Sequence, residues 1–211
     1  ELINKNNTGL TLIEVLIALV ITTIVIAALF TTYNLVNKQF LQQSERGNKY
    51  NSARNLITII SRDLRMAGFQ HYTNNTPIND PIFMNKNSCN QICIEYDIDD
   101  KDSYQRRRII YYVKDDKDGN KSVYKNVQKK TGDNYTILDE YENEEDRILA
   151  KNIEKLEFTF FDKDGTASKD FSKNNHATVE IEITMKINDN IDDILSTEVF
   201  LRNIYYYWHQ E

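Results

Sequence analysis

Leu10-Thr-Leu-Ile-Glu14-Val-Leu-Ile-Ala-Leu-Val20-Ile-Thr-Thr-Ile-Val-Ile-Ala-Ala-Leu-Phe30 is an almost unbroken apolar run. As a helix it rises about 31 Å, the hydrocarbon thickness of a bilayer. Fourteen of its 21 positions are Leu, Ile, Val or Phe. At roughly −0.3 to −0.6 kcal/mol each, they favour insertion by about −4 to −8 kcal/mol. Glu14 opposes this by at most about 3 kcal/mol, so the run is expected to enter a membrane in spite of its carboxylate. A cleaved secretory signal fits poorly, because such apolar regions are about 7–15 residues long and end in a small-x-small site. Here Ala27-Ala28 continues into Leu29-Phe30. A plain single-span anchor accounts for the length but not for a carboxylate one turn inside it. Orientation is not set by basic residues, since Lys5 precedes the run while Lys38 and Arg46 follow it.

The remainder of the chain is chemically different. Across all 211 residues, 27% are charged and 40% hydrophobic, the net charge is 26 − 32 = −6, and mean hydropathy is −0.59. These values exclude a collagen-like or wholly disordered chain. The acidic balance argues against a chain built to bind nucleic-acid phosphates. Three His and two Cys leave little material for a metalloenzyme, a zinc cluster or a disulfide scaffold. The length suits one domain, or one domain with an appendage.

Gly9-Leu10-Thr11-Leu12-Ile13-Glu14, followed by the apolar helix, resembles the processing site of type IV prepilins and pseudopilins. The resemblance implies that a prepilin peptidase cuts after Gly9, that residues 1–9 are a removed leader, that Leu10 becomes the N-methylated first residue, and that Glu14 guides assembly. Physical chemistry agrees with that role. An ionisable group in a membrane span needs a partner, and cleavage creates one in the α-amine of Leu10. Glu14 of one subunit and the amine of its neighbour would form a charge-assisted pair that sets helix register. Two departures stand out. Leu10 occupies a position where Phe is commonest, and the leader has only Lys5 and begins at Glu1. An initiator Met or further basic residues are expected ahead of it.

Beyond Phe30 the pattern turns amphipathic without a breaker. Val36, Phe40, Gly47, Tyr50, Ala53, Ile57, Ile60, Leu64 and Ala67 recur mostly at spacings of three, four and seven. No proline precedes Pro77, and Thr31 stands near the place where major pilins of the resembling class carry one. One helix is expected from Leu10 to about Ala67, some 87 Å of stalk, stopped at Gly68. Its last turns, Ser61-Arg-Asp-Leu-Arg-Met-Ala-Gly-Phe69, resemble the helix end of the PilW family of minor pilins. Read as residues alone, Arg62, Asp63 and Arg65 are solvated charges, while Leu64 and Met66 pack on a domain.

Residues 70–91 hold both prolines, many Asn and Cys89, and read as loop. Strands are expected at Ile92–Ile98, Arg106–Lys114, Ser122–Gln128, Tyr135–Leu138, around Leu156–Phe160, at Val179–Ile187, where apolar and polar residues alternate, and at Glu198–Tyr205. Leu149–Gly165 and Val199–Asn203 resemble segments shared by PilW proteins and the J-type pseudopilins of type II secretion.

Other chemistries fare less well. Cys89 and Cys93 are expected to form a small disulfide loop if exported; two free thiols and, less well supported, metal ligation are the alternatives. Asp-Lys-Asp-Gly at 116–119 and 162–165 starts like a calcium loop but lacks the later ligands, leaving a turn as the better reading. The acidic run Asp97–Asp102 reads as a solvated loop. Arg106-Arg107-Arg108 beside Tyr104, Tyr111 and Tyr112 suggests a stacking and phosphate surface, which the net charge opposes. His71, His176 and His209 read as scattered surface residues, and no catalytic or nucleotide motif is present.

The expected fold is therefore α+β and pilin-like, with leader 1–9, filament-core half 10–30, amphipathic half 31–67 and an antiparallel head over 68–211. The expected function is a PilW-like minor pilin acting in pilus assembly at the tip or in initiation, with no catalysis and no cofactor or metal. A J-type pseudopilin, a tip adhesin or DNA-uptake subunit, and a membrane-anchored enzyme or sensor with an unprocessed helix are the alternatives. Implied partners are prepilin peptidase, other minor and major pilins, the inner-membrane assembly platform and the membrane, with nucleic acid disfavoured. The head is expected in the periplasm before assembly and on the pilus or cell surface afterwards.

Overall fold

A computed structural model describes residues 11–84, 91–100, 103–117, 119–138, 143, 147–162, 164–168, 171, 176–188 and 191–203. Gly9, Leu10, Cys89 and His209 lie outside the described residues. A single helix, α1, spans Leu12–Met66, and the chain divides into two units, 1–47 and 48–211.

In the first unit every described helical residue is exposed. Leu, Ile, Val and Ala dominate residues 12–30, and neither Pro nor Gly interrupts the helix before Gly47. The hydroxyls of Thr22, Thr23, Thr31 and Thr32 donate back to the carbonyls of Ala18, Val20, Ala27 and Ala28 at 2.7–2.9 Å. Each polar side chain in this stretch is thus satisfied by its own helix, as an apolar solvent requires.

In the second unit, Ala53, Leu56, Ile60 and Leu64 form the buried seam of α1, and Leu56 rather than Ile57 takes its central place. The helix stops where expected. Gly68 adopts a φ of 76°, a left-handed conformation that costs other residues a Cβ clash. Its N–H donates to the Glu95 carbonyl at 2.9 Å, passing the helix end to the sheet.

Among the described residues ten strands follow: β1 Ile82–Met84, β2 Gln91–Asp100, β3 Ser103–Asp115, β4 Lys121–Thr131, β5 Asn134–Ile137, β6 Ile148–Lys151, β7 Ile153–Asp162, β8 Ala167–Ser168, β9 His176–Asn188 and β10 Ile191–Phe200. All pair antiparallel in two sheets, one ordered β1-β2-β3-β4-β5 with β6 also on β4, the other β10-β9-β7-β8. The core joins the helix seam to Ile92, Ile94, Ile109, Tyr111 and Val127 of the first sheet, and to Leu156, Phe158, Phe160, Val179, Ile181 and Ile183 of the second. A fully buried side chain of this kind contributes roughly 1.5–3 kcal/mol.

The α+β expectation holds, with corrections of detail. The stretch read as loop over 70–91 contains β1, whose Phe83 faces Cys93 in register. Short β6 and β8 carry too few residues to show a period. The strand expected at Glu198–Tyr205 starts earlier, at Ile191, and ends at Phe200, with Tyr205 outside the described residues; among the described residues β10 is an edge strand, so Asp193, Ser196 and Thr197 are tolerated where one face meets solvent. Both Asp-Lys-Asp-Gly stretches are turns. Asp116 accepts the Asn120 N–H at 2.9 Å, and Asp162 accepts those of Asp164 and Thr166 at 3.0 and 2.7 Å.

Candidate functional site

Thr11 and Glu14 form the start of α1. Thr11 precedes the first helical residue, and its N–H and hydroxyl both donate to Glu14 Oε2, at 2.9 and 2.8 Å. The Glu14 N–H donates back to Thr11 Oγ1 at 3.4 Å. This is a reciprocal capping box, which satisfies N–H groups that no preceding turn can reach. The Glu14 carboxylate also lies in the first turn, where the helix dipole favours negative charge. Around it Leu12, Ile13 and Leu16 are 80%, 66% and 54% exposed. Among the described residues, Glu14 therefore carries only local bonds within its own first turn, on a helix long and apolar enough to cross a membrane.

A second carboxylate of α1 is placed oppositely. Asp63 is 1% exposed, which corrects its reading as a solvated charge. Its Oδ1 accepts from Tyr96 at 3.2 Å, and its Oδ2 accepts from Lys125 at 2.9 Å and from the Tyr111 hydroxyl. Lys125, itself buried, also lies 5.5 Å from the Tyr111 ring centre. Burial, then the Asp63 charge, pushes the phenols of Tyr96 and Tyr111 well above the ordinary tyrosine range. Helix and strands β2, β3 and β4 thus meet on one carboxylate. Arg62 and Arg65 stay exposed, while Leu64 is buried and Met66 packs on the core.

The opposite face of the first sheet holds further buried ions. Asp97, fully buried, pairs with Arg106 Nε at 2.9 Å; it also accepts the His71 N–H at 3.1 Å and Asn74 Nδ2 at 2.7 Å. Arg106 donates to the carbonyls of Thr76 and Pro77 at 2.6 and 3.2 Å, fastening the 70–78 segment to the sheet. Asp97 is therefore no solvated loop residue. His71 is 8% exposed rather than a surface residue, with Nε2 2.9 Å from Asp99. Glu95 binds Arg108 at 2.6 Å and the Tyr135 hydroxyl at 3.0 Å. Burial and then Glu95 push that phenol up to about 12.

These pairs dispose of the stacking and phosphate surface. Tyr111 is buried, Arg106 and Arg108 are committed to carboxylates, and an open groove of about 580 Å³ beside Tyr104 has Arg106 in its wall with those donors already engaged. Cys93 is 4% exposed, and burial pushes its thiol up to about 11; its expected partner Cys89 lies outside the described residues. Among the described residues, no group of His, Cys, Asp and Glu is arranged to hold a metal.

Residues 4–30 match the family described as the prokaryotic N-terminal methylation motif. No curated protein and no solved structure matches the chain. A methylation motif leading into one long apolar helix, ahead of an antiparallel head, defines a type IV pilin-like protein of pilus or secretion assembly. The motif is that of a structural protein. It implies processing by a prepilin peptidase, membrane anchoring and assembly with other pilins in a membrane-associated system.

Proposed function

We propose that the chain is a PilW-like minor pilin that primes type IV pilus assembly at or near the filament tip. The observation carrying this reading is the methylation motif over 4–30 on a helix whose residues 12–47 are all exposed, with an apolar surface over 12–30 suited first to lipid and then to a bundle of like helices. The Ser61–Phe69 string at the helix end supports PilW, and the large head and missing mid-helix proline support a minor subunit. Residues 1–9 are the leader, 10–30 the filament-core half, 31–67 the amphipathic half and 68–211 the head, periplasmic before assembly and on the pilus afterwards. Cleavage follows Gly9, Leu10 is methylated, and Glu14 then exchanges its bonds to Thr11 for the α-amine of a neighbouring subunit. In the oxidising periplasm Cys89 and Cys93 pair.

The β6–β7 segment, Leu149–Gly165, supports a J-type pseudopilin as the second reading. Deleting the gene separates the two. A minor pilin's loss lowers pilus number while the major pilin stays in the membrane; a pseudopilin's loss leaves pili intact and retains secreted proteins in the cell.

A further inference from the structure

The outward face of the β10-β9-β7 sheet bears an unusual charge arrangement. Strand register puts Glu198 opposite Glu180 and Glu182 opposite Glu157, while the alternate residues Val179, Ile181, Ile183, Phe158 and Val199 point into the core. Like charges directly opposite each other destabilise a sheet, and on this face only Lys155 answers them, at 2.8 Å from Glu157, among the described residues. Beside the carboxylates, the edge strand β10 exposes Ile194 at 62% and Phe200 at 49%. The exposed stripe of α1 in the same unit has the opposite character: Asn51, Arg54, Asn55, Thr58 and Arg65, with no carboxylate, and Arg62 beside them has its Nε 3.4 Å from Asp63. It runs about 21 Å along the helix, and Ile194 to Phe200 runs about 20 Å along the strand.

We infer that this sheet face docks the arginine stripe of a second copy of the chain. The two surfaces are different patches of one molecule, so the contact is head-to-tail rather than isologous. The carboxylates gain cations, and Ile194 and the exposed part of Phe200 are covered. The inference rests on the reading of the chain as a filament subunit, and places two copies in succession.

The test uses full-length chain carrying two different tags, co-expressed and extracted in detergent, with recovery of the second tag measured. Wild-type copies co-purify, less so at high salt. Glu180→Arg/Glu182→Arg in both copies, or Arg54→Glu/Arg65→Glu in both copies, lowers recovery about tenfold. Mixing one copy of each variant restores it to within about threefold of wild type, because the reversed faces again match. The milder Glu180→Gln lowers recovery while raising the melting temperature of the chain, since it removes a like-charge pair. The proposal is overturned if wild-type copies do not co-purify, if the reversed variants recover like wild type, or if the mixture fails to recover while both variants melt as cooperatively as wild type. N-terminal processing is read separately by mass, so failure here leaves the pilin reading untouched.

Discussion

On α1, Glu14 accepts two hydrogen bonds from Thr11 among exposed apolar side chains, whereas Asp63 accepts from Tyr96, Tyr111 and Lys125 and is 1% exposed. Both are carboxylates in sequence strings that resemble pilin motifs, yet they are held by different physics. A capping box is worth about 0.5–2 kcal/mol and can be exchanged for a better partner. A buried ion pair with every oxygen engaged cannot be opened without leaving a bare charge in the core. Glu14 is therefore available to another molecule, and Asp63 is consumed by the fold. The difference teaches that the two strings are held differently: the first leaves its carboxylate on an exposed helix start, as the proposed assembly role requires, and the second spends its carboxylate on cohesion of the head.

Breaking the buried member should have the largest effect. Asp63→Ala strands Lys125 and two phenols, and is expected to destabilise the head by about 3–5 kcal/mol in chemical denaturation of the full chain. Asp63→Leu with Lys125→Met should recover only part of that loss, since no unpaired charge is then left at this place while the Tyr96 and Tyr111 hydroxyls still lack their acceptor. Arg106→Ala is expected to cost somewhat less, about 3 kcal/mol, because Asp97 keeps bonds from His71 and Asn74; limited proteolysis should then cut within 70–78.

A smaller effect appears on alkaline titration. Tyr96, Tyr111 and Tyr135 have phenols raised above their unfolded values, so the folded state holds those protons more tightly. Their contribution is complete below pH about 10 and falls as pH rises beyond it. Tyrosinate absorbance should show the buried Tyr96 and Tyr111, two of the 13 tyrosines, ionising only as the head unfolds, and Tyr135 ionising late, at about 12. The least effect on folding belongs to Glu14→Ala, which should leave membrane insertion and head melting unchanged while sharply reducing the chain in sheared pilus fractions. Wild-type incorporation would show that Glu14 has no assembly partner.

Much of the architecture was legible in the residues because it rests on periodicity. Leu10–Phe30 has the length and apolarity of a span, Val179–Met185 alternates with period two, and Gly68, Gly119 and Gly165 stand where the chain turns with positive φ. Buried polar groups are harder to see, because a charge in a sequence ordinarily faces water. A signal existed for Asp63: it lies three residues after Ile60 and four before Ala67, on the apolar seam itself. The Asp97–Arg106 and Glu95–Arg108 pairs were hidden for another reason. They are mirror positions across the β2–β3 register, which sequence spacing does not disclose until the hairpin is centred. At the N-terminus, Gly-Leu-Thr-Leu-Ile-Glu is recognisable as a string, and the Thr11–Glu14 box could have been read from its threonine and glutamate three apart.

The central claim is that residues 1–9 are removed and that the chain then assembles through its new N-terminus. Intact-mass and N-terminal peptide mass spectrometry, on protein isolated from cells with a working prepilin peptidase, tests it directly. The account predicts a mature chain that begins at N-methylated Leu10. A chain that keeps residues 1–9 in those cells, or begins at any other residue, would contradict it.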